Sequence, residues 1–459
     1  MNLPEPQTQT SGRRESASVL VIVLWICIGL VCIALYFANS MTYELRAADN
    51  RVNGLVSDQA IEGAARYFAV VLQNYATNGV VPDNTQFKNA AVTIGDAKFW
   101  VIGRDPSGEN STEPYFGIVD EGGKVNLNNA NTNVLSYLPN MTLDFANAIQ
   151  DWRGTNGIVS LDYTSLGYEP KNAPFESVDE LRLVYGADPV LLAGEDINRN
   201  GVLDADEKDL NGNGTLDPGL FEYTTVYTRE PNFHSDGTTL TNLNDPKLKV
   251  GDLTALLRDD GASSPDSRAT QIYNYLHPGG ATGTPRTFNG LFDFAVIARG
   301  FGMSESDLTS IAGDITTSTN TYFRARINVN TATADVLTAV FMGLNVDQDT
   351  ADSAAQTLVT YRQQNPDNLG AVGWVYDALG SGNPVVTALQ KGDYITTHSF
   401  QFTVDIAAVG AFGRGYRRVK FIFDMSDGAP KILYRQDLSR LGWALGEKAR
   451  QNLLANNTP

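Results

Sequence analysis

From Ser18 to Ala38 the chain carries no charged side chain. As a helix rising about 1.5 Å per residue, that run is roughly 31 Å long, enough to cross a hydrocarbon core. Beyond it the apolar positions narrow to one stripe, since Ile61, Ala65, Phe68, Leu72 and Tyr75 keep the spacing of a single helix face. Asn78-Gly79 and Pro82 are stop signals. The pattern predicts one helix from Ser18 to about Ala76, apolar all round in its first half and amphipathic in its second. Gly54 and Gly63 weaken it by about 1 kcal/mol each against alanine. The period then changes. Lys98-Phe-Trp-Val-Ile and Tyr115-Phe-Gly-Ile-Val read as strands, with Asp120-Glu-Gly-Gly as a turn. Near the C-terminus Phe400–Ile406 and Arg418–Phe423 alternate about Gly413-Arg-Gly, which makes a hairpin, and Lys431-Ile-Leu-Tyr-Arg adds a strand. The residues from about 125 to about 390 are mostly helical. The expected class is α+β: a long N-terminal helix, a small antiparallel sheet, and a large helical insertion between its strands.

The insertion contains a repeat. Val125-Asn-Leu-Asn-Asn-Ala-Asn-Thr-Asn-Val-Leu returns as Ile327-Asn-Val-Asn-Thr-Ala-Thr-Ala-Asp-Val-Leu. Each copy runs into a short helix, a hairpin and a longer helix: Leu138-Pro-Asn-Met before Leu143 to Trp152, and Phe341-Met-Gly-Leu before a helix to about Tyr361. Asn140 and Gly343 stand where a left-handed residue is wanted. The pattern resembles a helix-hairpin-helix (SAM-like) unit present twice. Val226 to about Pro285, rich in Gly, Asp, Asn and Thr, reads as an insertion.

Charge narrows the function. With 52 acidic against 34 basic residues the net charge is −18, the wrong sign for a nucleic-acid surface. Helix-hairpin-helix units often hold a DNA backbone through hairpin amides. Here no Lys or Arg lies between Lys124 and Arg153, and Asp144 and Asp151 flank the first hairpin; Asp335, Asp347, Asp349 and Asp352 surround the second. Phosphate needs cations, so these units read as packing modules or protein contacts. Arg13 and Arg14 precede the apolar run, and the other flank is uncharged until Glu44, which leaves the N-terminus in the cytoplasm. The helical pattern continues past Ala38, as expected of a retained anchor rather than a cleaved signal. Both cysteines, Cys27 and Cys32, lie in the apolar run, so the exported part has no disulfide and depends on packing or on metal.

Metal is suggested by Asp196-Ile-Asn-Arg-Asn-Gly-Val-Leu-Asp-Ala-Asp-Glu, which fits the twelve-residue calcium loop. Asp196, Asn198, Asn200 and Asp204 supply oxygens at positions 1, 3, 5 and 9. Gly201 takes the sharp turn, Val202 offers its carbonyl, and Glu207 closes the loop at position 12. A second loop begins at Asp209, with Asn211, Asn213, Gly214, Thr215 and Asp217 in register. Its position 12 is Leu220, so the bidentate ligand is missing; Glu222 or an acid from elsewhere is the candidate replacement. One Ca2+ is expected in the first loop and a second in the other. No long helices flank the loops, which points to a structural role rather than a helix-opening sensor. His234, His277 and His398 are scattered and fit no metalloprotease or nucleophile pattern, and no phosphate-cradling loop occurs. The expectation is not an enzyme.

Taken in order, several segments are similar to the minor pseudopilin K family of type II secretion systems. They are Ser18-Val-Leu-Val-Ile-Val-Leu-Trp, Asp120-Glu-Gly-Gly-Lys-Val-Asn-Leu-Asn, Ala148-Ile-Gln-Asp-Trp-Arg, Lys171-Asn-Ala-Pro-Phe-Glu-Ser-Val-Asp-Glu-Leu and Ile327-Asn-Val-Asn-Thr-Ala. The resemblance implies a pilin-like fold with a helical domain inserted in its sheet, calcium in the segment 196–220, and a non-enzymatic role. It implies a cytoplasmic leader (1–17) removed by prepilin peptidase between Ala17 and Ser18, although Ala17 departs from the usual glycine and Gly12 is the alternative. A transmembrane helix (18–39), a pilin-like helix and first strands (40–124), the inserted domain (125–390) and C-terminal strands with a tail (391–459) follow. Most pilin-type subunits carry glutamate at the fifth mature position. Here that position is Ile22, so no ion pair forms toward a subunit above, which suits a tip. The implied protein sits in the inner membrane with its bulk in the periplasm. It caps a pseudopilus with I-type and J-type minor pseudopilins for protein export, possible contact with exported proteins included. The competing readings are a minor pilin or tethered binding module of a related type IV pilus, for adhesion or DNA uptake, and an anchored hydrolase.

Overall fold

A computed structural model describes residues 14–76, 78–105, 112–154, 163, 167–279 and 283–455. The expected long helix is α1 (Arg14–Tyr75). Its residues 19–38 are exposed throughout, so the apolar run packs on nothing in this chain, while Ile61, Ala65, Phe68 and Leu72 are buried. The leader expected at 1–17 lies mostly outside the described residues, as does the Gly12 alternative; α1 runs through Ala17 and Ser18, and Ile22 is exposed on it.

The sheet is built from both ends of the chain. β1 (Val92–Ile94), β2 (Ala97–Ile102) and β3 (Val119–Asp120) precede the insertion. The insertion itself comprises β4 (Val125–Asn126), α2 (Thr132–Ser136), α3 (Leu143–Arg153), α4 (Pro189–Ala193), α5 (Leu220–Tyr223), β5 (Thr224–Thr225), β6 (Glu230–Pro231), β7 (Thr241–Asn242), α6 (Val250–Asp259), α7 (Pro265–Leu276), α8 (Leu291–Gly300), α9 (Glu305–Ile311), β8 (Ile315–Thr316), β9 (Tyr322–Phe323), β10 (Ile327–Asn328), α10 (Ala334–Gly343), α11 (Gln348–Gln364), α12 (Trp374–Leu379), α13 (Pro384–Leu389) and β11 (Ile395–Thr396). After it come β12 (Gln401–Val409), β13 (Arg417–Asp424), β14 (Lys431–Asp437) and α14 (Gly446–Ala455). The sheet order is β1-β2-β12-β13-β14, all antiparallel, with β3 beside β2 on the same edge of β12.

β12 alternates as expected, yet all of it is buried. Phe402, Val404, Ile406 and Ala408 pack with Ile61, Phe68 and Leu72 of α1. The opposite, partly polar face is covered too: Ala407 and Val409 lie under Leu445, and Thr403 and Asp405 face the insertion. The strand expected at 115–119 pairs only at Val119–Asp120, with one bridge from Phe116 to Ile102. The cause is Asn84, whose Oδ1 accepts from Ile118 N at 2.8 Å and whose amide lies where a Cβ on Gly117 would stand. A side chain takes the place of a ladder partner.

The two repeats form matching helix pairs, α2–α3 and α10–α11, each led by a short strand. Asn140 is left-handed (φ 60°) as expected. Gly343 is not; it ends α10, and the left-handed residue is Asn345 (φ 65°). Gly343 is instead a contact glycine, because a Cβ there would lie 2.4 Å from Val134 Cγ2 of α2.

The segment from Val226, expected as an insertion, carries a third copy of the repeat, which the sequence pattern alone did not show. Thr241-Asn-Leu-Asn repeats Val125-Asn-Leu-Asn and Ile327-Asn-Val-Asn, and α6–α7 follow as the paired helices. In all three copies the leading strand pairs in parallel with a closing strand that ends in threonine: Asn126 with Thr225, Asn242 with Thr316, Asn328 with Thr396. In all three the second asparagine donates to a backbone carbonyl further along: Asn128 to Phe175, Asn244 to Phe288, Asn330 to Leu369, at 2.9–3.0 Å. The insertion is a threefold repeat around one core that includes Leu135, Leu253 and Leu337.

Candidate calcium loops and the seam they sit on

The candidate loops lie between α4 and α5, helices of 5 and 4 residues. Helices so short offer no lever for a large opening motion. In the first loop the expected ligands converge. Asp196 accepts from Asn200 N and Gly201 N, both at 2.9 Å. The amides of Asn198 and Asn200 both donate to Asp204 Oδ2, at 2.6 and 2.8 Å. Glu207 reaches back over the loop, with Oε1 accepting from Asn198 N at 3.0 Å and Oε2 from Asp204 N at 3.1 Å. Arg199 (φ 58°) and Gly201 (φ 83°) make the curl, which only glycine adopts without strain. Asp196, Asn198, Asn200 and Val202 are buried. Burial holds the Asp196 and Glu207 carboxyls above their usual range, against the lowering effect of Arg104 on Asp196.

The second loop repeats this geometry on the surface. Asp209 accepts from Gly212 N at 2.6 Å and Gly214 N at 2.8 Å, which holds its carboxyl below the usual range. The amides of Asn211 and Asn213 both donate to Asp217 Oδ2, at 2.5 and 2.9 Å. Thr215 N donates to Asn213 Oδ1 at 2.7 Å. Leu220, at the twelfth position, is fully buried in the core. Glu222 is not its substitute, because both its oxygens are bound by Arg104 at 2.8 Å. The acid in place is Glu195. Its Oε1 accepts from Leu210 N at 2.6 Å and its Oε2 from Asp217 N at 3.0 Å, at positions 2 and 9 of the second loop, where Glu207 caps positions 3 and 9 of the first. The neck of the double loop puts it there, since Glu195 N donates to Asp217 O at 3.0 Å and Gly219 N to Ala193 O at 3.1 Å. Glu195 lies outside the twelve residues of its loop, so no spacing rule points to it; an acid directly before the first loop was the only hint.

Among the described residues no three His, Cys, Asp or Glu side chains form a ready-made metal cluster. The donor set is mixed, with carboxylates, asparagine amides and a backbone carbonyl, all hard oxygens of the kind calcium takes. In each loop two asparagine Nδ2 groups donate to one carboxylate oxygen, so the side chains at positions 3, 5 and 9 already converge, and an ion there requires those amides to turn their oxygens inward. The residues fit the ion.

The loops rest on a seam of buried charge between insertion and sheet. A cavity of about 60 Å³, room for a water or two, is lined by Arg104, Glu121, Asp196, Glu222, Asp405 and Lys420 among others. Glu121 accepts from Thr225 and Thr403 at 2.5 and 2.6 Å and from Lys124 at 3.1 Å. Burial raises its carboxyl, but those partners outweigh it and leave it below the usual range. Asp120 Oδ2 accepts from Thr331, Ser399 and Asn328 at 2.5, 2.8 and 3.1 Å, tying β3 to the last repeat. Lacking a cation, its carboxyl is pushed up by burial to about 6.

No protein-family model matches the chain, and no curated protein does. Among solved structures it is similar to a chain of the GspK-GspI-GspJ complex from the type 2 secretion system of enterotoxigenic Escherichia coli. The identity is 14% over 46% of this chain and 78% of that chain, with a TM-score of 0.18. A superposition that loose carries no argument about this molecule's partners.

Proposed function

We propose that the protein is a non-enzymatic minor pseudopilin of a type II secretion system. Its place is the tip of the periplasmic pseudopilus, beside I-type and J-type minor pseudopilins. The observation that carries the reading is α1: one unbroken helix whose apolar first half touches nothing in its own chain and whose second half is the spine of an antiparallel sheet. A monomer does not expose such a shaft to water. It belongs in a bilayer before assembly, single-pass in the inner membrane, and in a fibre core afterwards. Ile22 in place of a glutamate supports the end position, because a subunit with nothing above it needs no partner for a neighbour's amine. The threefold helical insertion supports it as well, being bulky beside a stacked shaft. The paired helices are of helix-hairpin-helix type and serve as packing units. Prepilin peptidase cuts between Ala17 and Ser18.

Calcium holds the insertion together. Asp196, Asn198, Asn200, the Val202 carbonyl, Asp204 and Glu207 would bind the first ion; Asp209, Asn211, Asn213, Thr215, Asp217 and Glu195 the second. The ion supplies positive charge that lets those oxygens converge.

Deleting the gene in its host and assaying exported proteins in the medium tests the role. Export should fail and return with the gene, and the full chain in detergent should co-purify with I-type and J-type subunits. Normal export with no such association would rule the role out. Adhesion or DNA uptake lost while export persists would favour a type IV pilus subunit instead.

A further inference from the structure

Loop 1 touches more than its own ligands. Arg418, on β13, is fully buried and among the largest such side chains of the described residues. Its Nε and Nη2 donate to Asp405 on β12, at 2.9 and 2.6 Å. Its remaining donors leave the sheet altogether: Nη1 donates to Asn198 O and Nη2 to Arg199 O, the latter at 2.8 Å. The traffic runs the other way too. Asn198 Nδ2 donates to Trp443 O at 3.1 Å, in the segment that leads into α14. Arg104, just past β2, reaches Arg199 O at 3.4 Å and stands 3.9 Å from Asp196. One curl of backbone is therefore gripped from β13, from the end of β2 and from the C-terminal segment.

We infer that Arg418 is a positioning residue for the first cation, and that filling loop 1 locks the helical insertion onto the sheet. The inference rests on the calcium reading above. The carbonyls of Asn198 and Arg199 face one guanidinium only while the loop is curled. The curl gathers Asp196, Asp204 and Glu207, which repel one another unless a cation lies among them. When the loop opens, Arg418 keeps Asp405 but loses two acceptors at a place water does not reach, which buried charge tolerates poorly. Opening the loop thus loosens the seam, and loosening the seam opens the loop. Linkage makes the coupling reciprocal, so Arg418, which touches no ligand oxygen through its side chain, must influence calcium affinity.

The test uses the full chain in detergent micelles. Calcium binding is measured by titration calorimetry, and amide hydrogen exchange by mass spectrometry with calcium and with chelator, for the wild type, R418M and R418K. Expected in the wild type is a rise in exchange on chelation of about tenfold or more at Trp443–Leu445 and along β13, well outside the loops. R418M should bind the first ion about tenfold more weakly with the second unchanged, and R418K should fall between, since an ammonium replaces charge but not the planar fork. Exchange that changes only within 195–220 overturns the lock and leaves calcium binding standing, as does unaltered affinity in R418M. A wild type that takes up no calcium overturns both. If R418M does not fold, the wild-type exchange pattern decides alone.

Discussion

Glu195 and Asp196 are neighbours in the chain that serve different loops. Asp196 opens the first, and Glu195 supplies to the second the contacts that Leu220, sunk in the core, does not make. Replacing Glu195 with Gln should cut calcium stoichiometry from two to one with the first affinity kept. Glu207→Gln should weaken the first ion by about tenfold or more, since a bidentate carboxylate is lost. Calorimetry reads both. Asp120 offers a separate check, through pH. Burial lifts its folded pKa to about 6 from 3.8, so between about pH 4 and 6 the folded chain holds a proton there that the unfolded chain has released. Its contribution is full below about pH 4 and is lost as pH rises through 6. Wild-type stability relative to Asp120→Asn should therefore fall from pH 4 to pH 7 by up to about 3 kcal/mol. Urea unfolding at the two pH values measures it, and a pH-independent difference would refute the shift.

The elements were legible to different degrees. The apolar run, the stripe on α1 and the β12–β13 hairpin are periodic over many residues, and each formed where its period indicated. Short elements did not announce themselves. β1 is three residues long and hangs on a Gly95-Asp96 turn. The third repeat keeps only Asn-x-Asn and a distant threonine, since the rest of each copy is free to vary while its core fills. Gly343 was visible as a glycine, but its reason lies on another helix. Gly343→Ala forces a methyl against Val134 and should cost about 1–3 kcal/mol. Val134→Ala in the same chain should recover part of that, because the nearest atom, Cγ2, is gone. Thermal unfolding of the single and double variants gives the coupling.

At the scale of the molecule, calcium and the membrane shaft set the expectations. If both loops bind only in the folded chain, a hundredfold excess of calcium over each dissociation constant adds about 2.7 kcal/mol per site. Chelator should therefore lower the unfolding midpoint of the full chain in detergent, and an unchanged midpoint would sink the structural role of calcium. The mass of the processed protein, with Ser18 as first residue, tests the leader cut.

The sequence by itself determined whatever depends on neighbours along the chain: a helix long and apolar enough to span a bilayer, alternating strands, and loops whose oxygens fall at fixed spacing. Only the tertiary structure decided what those features meet. It covered the polar face of β12 with the insertion, turned Arg418 toward two carbonyls of loop 1, and brought Glu195 beneath the second loop. Such pairings join residues far apart in sequence, where no periodicity connects them. They are selected by the need to satisfy every buried charge and hydrogen-bonding group at once.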